Sequence, residues 1–322
     1  MNALVTRPGG RITARPVEDE SSDAEAAAAA QIDICICTFE RPEVVDTLAA
    51  LSRQTNIAPR HFRVVIADNS RRGTARECVE MAADRFGLDL TFVHAPAANI
   101  SIARNACLDV ARGEWIAFLD DDERPVGNWL AQLLGEARRG DWSAVLGPVF
   151  AVYPASAPQW LSRGDFHSTQ PVWRNGEIRT GFSGNVLFRR SLAVRAGLRF
   201  RIDLGKTGGE DEDFFDCFRD AGGTIGFAPR AICYENVTAA RANLKWLLRR
   251  NFRAGQSHGA RLARQAARPK QISLALAKAL YCGARAGLAL HDSVPRNRAL
   301  VRAALHSGAF ARLCGLSEIR TY

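Results

Sequence analysis

Residues 114–123 read EWIAFLDDDE, and the fold is decided by this stretch. From Trp115 to Leu119 the chain is an unbroken apolar run, as in a strand buried on both faces, and it runs directly into three aspartates and a glutamate. An acidic end on a buried strand predicts a sheet covered by helices, with ligands at the carboxyl ends of the strands. The neighbouring sequence repeats the pattern. Upstream, IDICIC (residues 32–37), FRVVIADNS (62–70) and LTFVHA (90–95) read as buried strands, separated by helical periodicity in VVDTLAALSRQ, ARECVEMAADRFG and SIARNACLDVARG. Pro42 stands where the first of these helices would start. Downstream, NWLAQLLGEARRG reads as a helix and SAVLGPVFAVY as the next strand. The regular alternation predicts an α/β fold with a mostly parallel sheet and helices on both faces.

Periodicity weakens from residue 155 to 184, where a long loop or short irregular strands are expected. VLFRR resumes as a strand. A Gly-rich loop then runs into a helix at GGEDEDFFDCFRDAGG, and TIGFAPRAICYENV reads as one or two strands. The remainder is helical and rich in Arg, Ala and Leu. Three regions are expected: residues 1–30 without order, a catalytic domain over 31–238, and a basic helical extension over 239–322.

The 322 residues, 47% hydrophobic and 24% charged, suit a globular chain. No apolar run is long enough to span a membrane, and the acidic first 30 residues are not a secretory signal. Eight cysteines without C-x-x-C spacing read as reduced, buried thiols of a cytoplasmic protein. The net charge of +9 is uneven: 16 of the 43 Lys and Arg follow residue 238 against two acids, a local +14 that leaves −5 elsewhere. Such a tail should attract an anionic partner.

Two acidic clusters could carry chemistry. In LDDDE, adjacent carboxylates repel one another, and a hard divalent ion, Mg²⁺ or Mn²⁺, relieves the cost when a substrate phosphate completes its shell. Alternation along an extended chain sends Asp120 and Asp122 to one side and Asp121 to the other. A solvated acidic turn is the competing reading. In GGEDEDFF, Glu210, Asp211, Glu212 and Asp213 open a helix, where carboxylates either cap the helix or supply a general base. No P-loop, G-x-G-x-x-G, G-x-S-x-G or H-E-x-x-H is present.

In order and spacing, TFERPE, ADNS, SIARNACLDVARGEWIAFLDDDERPVGNWL, FSGNVLFRR and GGEDEDFF resemble glycosyltransferase family 2, over roughly residues 32–255. YENVTAARANLKWLLRRNFRAG resembles the branch of that family devoted to bacterial exopolysaccharides. The resemblance implies a GT-A fold and inverting sugar transfer from a nucleotide donor, UDP-linked glucose or galactose being expected. Thr38, Phe39 and Arg41 would line a nucleobase pocket with Asp68 near the base or ribose. Arg104 and Asn105 would face the donor. Asp120 would lie near the ribose and Asp122 on the metal, with Asp121 counted among the donor-binding residues. Gly184 and Asn185 would sit beside the sugar and acceptor. Asp211 would be the catalytic base, with Glu210 next to it. Relatives often carry a metal-binding His where this chain has Glu235, which could ligate the metal or contact the acceptor. Trp160 and Trp173 could stack on acceptor sugars, and His258 is expected at the surface.

Arg249, Arg250 and Arg253 fall within about one helical turn, to close over the donor diphosphate or to bind a lipid pyrophosphate. QISLALAKALYCGARAGLALH carries Lys278 and Arg285 and reads as an interfacial helix, which suggests peripheral contact with the cytoplasmic face of the inner membrane. The expected acceptor is a lipid-linked glycan in surface polysaccharide synthesis. Two competitors are weaker. A nucleotidyltransferase making nucleotide sugars would need a basic Gly-rich loop where TFERPE stands. A nucleic-acid binder would not confine its positive charge to the tail, and no nucleic-acid partner is expected.

Overall fold

The computed structural model describes residues 32–319 apart from 266 and 267; the segment expected to lack order, 1–30, lies outside the described residues. The chain begins with β1 (Ile32–Thr38), α1 (Val44–Leu51), β2 (Phe62–Asp68), α2 (Arg76–Phe86), β3 (Leu90–His94), α3 (Ile100–Val110) and β4 (Trp115–Asp120). After β4 come β5 (Glu123–Pro125), α4 (Trp129–Arg139), β6 (Ala144–Leu146) and β7 (Val149–Val152). A short helix α5 (Gln159–Gly164) and a hairpin of β8 (Trp173–Arg174) and β9 (Glu177–Ile178) lead to β10 (Asn185–Arg189) and α6 (Arg190–Arg195). Then follow α7 (Glu210–Asp220), β11 (Ile225–Phe227), β12 (Cys233–Asn236) and three long helices, α8 (Leu244–Gln265), α9 (Arg268–Leu288) and α10 (Ser293–Leu313).

The main sheet has the order β11-β6-β10-β4-β1-β2-β3 and is parallel except at β10, which runs antiparallel to β4 and β6. Its strands alternate between two apolar layers, as a period of two requires. Ile34, Ile36 and Leu119 pack on Leu48, Trp129 and Leu133 on one face. Cys35 and Phe118 pack on Ala103, Cys107 and the Phe214–Phe218 cluster on the other. The small Cys35 and Cys107 let α3 lie close to the sheet.

Two expected elements divide in the structure. EWIAFLDDDE is not one strand: β4 ends at Asp120, the chain turns at Asp121 and Asp122, and β5 joins a second sheet of order β5-β12-β7. SAVLGPVFAVY is likewise cut at Gly147-Pro148 into β6 of the main sheet and β7 of the second. Proline cannot donate a ladder hydrogen bond. Within 155–184 the structure forms α5 and the β8–β9 hairpin.

The C-terminal helices pack on the rest of the chain. Leu247 at the start of α8 is fully buried with Leu161 and Val237. Glycines set the α8–α10 crossing: a Cβ on Gly255 would meet the Leu305 carbonyl oxygen at 1.9 Å, and one on Gly308 the Phe252 carbonyl oxygen at 1.9 Å. The backbones touch where side chains would normally separate them.

Candidate active site

Strand register gathers the polar ends. Thr38 pairs with Asp68 across β1 and β2, and Cys37 with Asp120 across β1 and β4. The turn after β4 is then tied down by its own carboxylates. The Thr38 hydroxyl donates to Asp121 at 2.8 Å, and Arg41 donates to Asp121 at 2.8 Å and to Asp122 at 2.7 Å. Burial pushes the Asp121 carboxyl up to about 6, against the pull of Arg41. Burial also opposes the charge on Arg41, but Asp121 and Asp122 outweigh it and raise its pKa.

Beyond the turn lies a cavity of about 580 Å³. Asp120, Asp122, Glu123 and Glu235 line it, as does Asp211 at the start of α7. Arg249, Arg250 and Arg253 of α8 line the same space. Glu123 and Glu235 stand in register across β5 and β12, an arrangement of like charges that costs stability without a counter-charge. Arg241 supplies part of it, 2.7 Å from Glu235 and 3.7 Å from Asp122. Glu123 Oε2 is buried without a hydrogen-bond partner among the described residues. Burial, then Asp120 and Glu235, push its carboxyl well above the usual range. A Cβ on Gly184 would lie 2.7 Å from Glu123 Oε1 and 3.2 Å from Asp120 Oδ2, so only glycine lets these two oxygens converge over position 184.

The start of α7 is tied to these carboxylates through Arg104. Arg104 Nη1 donates to Glu210 Oε1 at 2.6 Å, and its Nη2 lies 3.9 Å from Asp120. Burial raises the Glu210 pKa, Asp211 adds to the rise and Arg104 opposes it. Gly208 and Gly209 enter α7 at φ of +94° and +89°, a region that other residues adopt at a cost. Asn99, which caps α3 by accepting from Ser101 and Ile102, also donates to the Ile202 carbonyl and so fixes the loop that leads to these glycines.

A smaller pocket of about 260 Å³ adjoins the cavity through Arg41, Arg104 and Asp120, and Thr38, Phe39 and Asn69 line it. A model of the Glycosyl transferase family 2 matches residues 33–195, which carry Thr38, Arg41, the acidic turn and Gly184. The chain belongs to glycosyltransferase family 2. It is a glycosyltransferase with the GT-A fold, and the nucleotidyltransferase and nucleic-acid readings are set aside. This family member is 48% identical over 294 residues to the succinoglycan biosynthesis protein ExoM of Rhizobium meliloti (strain 1021), with 90% of this chain and 95% of that one covered. Among solved structures, the Pyrobaculum calidifontis mannosyltransferase PcManGT in complex with GDP-Man and Mn²⁺ superposes at a TM-score of 0.62 and 19% identity, over 88% of this chain and 87% of that one. Residues 1–349 of S. aureus TarS in complex with UDP-GlcNAc superpose at 0.54 and 16% identity, over 89% and 92%. These structural likenesses concern the fold.

In this glycosyltransferase the structure brings together Thr38, Phe39, Arg41, Arg104, Asp120, Asp121, Asp122 and Gly184, with Glu210, Asp211 and the three arginines of α8. Three expected site residues are instead spent on the scaffold. Both Asp68 oxygens accept backbone N–H groups, from Ser70 and Ala75. Asn105 clamps the backbone of Phe200 through its amide nitrogen and oxygen. Asn185 is fully buried and bonds Pro148, Ala231 and the Trp129 indole. Trp160 packs edge-on against Phe166, and Trp173 against Phe227, away from the cavity. The aromatics that line it are Phe182 and Trp246, the latter stacked on His167 at 5.2 Å. His258, expected at the surface, is partly buried in a second cavity.

Glu123, Arg241, Trp246 and Asn69 are site residues that sequence reasoning missed. Glu123 was legible as the last letter of LDDDE. Asn69 follows Asp68 directly, and its Nδ2 is buried without a partner among the described residues. Arg241 and Trp246 lie within YENVTAARANLKWLLRRNFRAG, but nothing in that stretch singles them out.

Proposed function

We propose that the protein transfers a sugar, glucose or galactose, from a UDP-linked donor to a glycan acceptor with inversion at the anomeric carbon, in the synthesis of succinoglycan or a related exopolysaccharide. The observation that carries this is one cavity lined together by the acidic turn after β4, by Asp211 at the start of α7 and by three arginines of α8. The small pocket takes the base, with Asn69 and the apolar Phe39 in its lining. Arg249, Arg250 and Arg253 bind the diphosphate by charge-assisted hydrogen bonds and stabilise the charge that develops as it leaves. Asp211, whose Oδ1 already accepts from the Glu212 N–H, takes the proton of the acceptor hydroxyl as that oxygen attacks. Glu210 is occupied by Arg104 and positions Asp211 from behind. Trp246 offers a face for an acceptor sugar ring.

The donor set fits a divalent cation. Its oxygens are carboxylates, Glu123 and Glu235 oppose each other uncomfortably, and Glu123 Oε2 is orphaned. Among the described residues no three side chains form a ready cage, which suits an ion completed by substrate phosphate. Asp120 and Asp122 would hold Mg²⁺ or Mn²⁺ with Glu123 behind them, and the ion would neutralise the leaving diphosphate.

No helix among the described residues is long and apolar enough to cross a membrane. α9 exposes Leu280 and Tyr281 between Lys278 and Arg285, and Leu288 just beyond, and this surface supports peripheral contact with an anionic leaflet. By this reading residues 31–238 form the catalytic domain and 239–322 an extension whose first helix completes the site.

The test is a screen of nucleotide sugars for nucleoside diphosphate release, with membrane extract as acceptor. Asp122→Ala is expected to lose metal-dependent donor binding. Asp211→Asn should bind donor normally and lose turnover by about 10²–10⁴-fold. Undiminished turnover in either variant would overturn its assigned role.

A further inference from the structure

A second cavity of about 670 Å³ lies on the other side of the α7 N-terminus. Asp211 lines the first cavity and the next residue, Glu212, lines the second. Basic side chains converge on the second cavity from separate parts of the fold: Arg174 of β8, Arg179 just after β9, Arg219 of α7, Arg261 of α8 and Lys278 of α9. Three acids face them, Glu212, Asp216 and Asp220. Arg261 engages the first two, at 2.7 and 3.4 Å. Among the described residues, Arg174 and Lys278 have no carboxylate within ion-pair distance.

Two further groups point to a ligand. The Thr180 hydroxyl oxygen is buried beside the cavity with no hydrogen-bond partner among the described residues. His258 and His306 lie among the cations. Burial lowers the His258 pKa to about 4, and Arg261, Arg174, His306 and Lys278 add to the fall; Glu212 and Asp216 face it from α7. Burial and then Lys278 and Arg302 lower His306. Burial is the larger cause of both shifts; the cations that add to it make a field that attracts anions. Arg253 in the first cavity and Arg261 in the second are about two turns apart on α8, so one helix carries cations past both. At the outer edge, Lys278 sits on α9 among exposed Leu274, Leu280 and Tyr281, and α9 contains no acidic residue.

We propose that this second cavity binds a phosphate-type anion carried by the acceptor, with Arg174 and Lys278 as its two unpaired cations and the Thr180 hydroxyl as a neutral donor. The proposal rests on the reading of Asp211 as the base, because that places the acceptor at the junction of the two cavities. A lipid-borne phosphate would lay its hydrocarbon along the exposed leucines of α9; a free phosphate would not use them.

The full chain is titrated calorimetrically with inorganic pyrophosphate and with farnesyl diphosphate, each in excess UDP so that the first cavity is filled. Wild type is expected to bind farnesyl diphosphate, and the double variant Arg174→Ala/Lys278→Ala to bind it about tenfold or more weakly. The His258 ring resonances should titrate at higher pH when the anion is bound. UDP affinity of the double variant reports that it is folded, since neither residue lines the first cavity. Leu280→Ser should weaken farnesyl diphosphate and leave pyrophosphate unchanged if the phosphate arrives on a lipid. Equal binding of both anions with no effect of Leu280→Ser overturns the acceptor assignment in favour of a free phosphate. Unaltered binding in the double variant overturns the site itself. Failure of wild type to bind UDP would instead overturn the donor reading; the comparison of wild type with the double variant then still decides the second cavity, with thermal melting as the check that the variant is folded.

Discussion

Arg104 and Glu210 are ion-paired at 2.6 Å, both nearly buried, and Arg104 also lies 3.9 Å from Asp120. One guanidinium therefore couples the acidic turn to the helix that carries Asp211. Burial opposes its charge, but Glu210, Asp120 and Asp211 outweigh that and raise its pKa, so it stays protonated. Arg104→Ala leaves Glu210 buried and uncompensated. A loss of about 3–5 kcal/mol is expected in denaturant unfolding. Glu210→Gln in the same chain should recover most of it, and a double variant as unstable as Arg104→Ala alone would show that the pair is not the cause.

Gly308→Ala tests the helix crossing that brings α8 over the cavity. Its Cβ would sit 1.9 Å from the Phe252 carbonyl oxygen, next to Arg253. The backbones must separate, at a cost of about 1–3 kcal/mol. Because Arg253 moves with them, UDP affinity should fall along with thermal stability. A stable variant with unchanged UDP affinity would show that the crossing does not position the arginines.

Proton competition should govern cation binding. Burial raises the Asp120 pKa, with Arg104 opposing and Asp122 adding to the rise. Burial and then Asp122 raise Glu235, and Glu123 is raised further still. Protons thus hold these oxygens at a higher pH than they hold ordinary carboxylates, and a divalent ion must displace them. Mn²⁺ affinity measured with UDP present is expected to tighten from pH 5 to pH 7, by about tenfold per pH unit for each proton displaced. A pH-independent affinity would place the ion elsewhere.

His258 should shape the acid side of the stability profile. Its folded pKa of about 4 lies below the ordinary value near 6.5, so the unfolded chain takes up the proton first as pH falls. Its contribution is fully present above about pH 6.5 and is lost on the way down to 4. His258→Gln should flatten that decline in thermal melts across the window, whereas a profile as steep as wild type would assign the loss to other groups.

Much of the fold was legible, because strand burial writes itself as apolar runs: β1, β2 and β4 are read from IDICIC, FRVVIAD and WIAFLD. The acidic ends were legible for the same reason, since the apolar runs of β2 and β4 give way to charge at their carboxyl ends. Residue type alone did not show what each polar side chain is tied to. Asn105 and Asn185 have the residue types of a site but hydrogen-bond the backbone of distant segments, and spacing along the chain carries no record of those partners. Asp68 instead accepts from nearby N–H groups, those of Ser70 and Ala75. The β4–β5 break was hidden because an extended pattern continues through Glu123 while the chain changes sheets.

The sequence by itself determined the α/β alternation, the acidic turn at Asp120–Asp122, the Gly-rich entry to Asp211 and the cationic tail, because each depends on neighbours in the chain. Only the tertiary structure decided that Arg41 grips Asp122, that Glu235 faces Glu123 and that α8 lies over the cavity. Those relations join segments about 80 or more residues apart, and they arise from burial and charge balance in three dimensions, which no local pattern encodes.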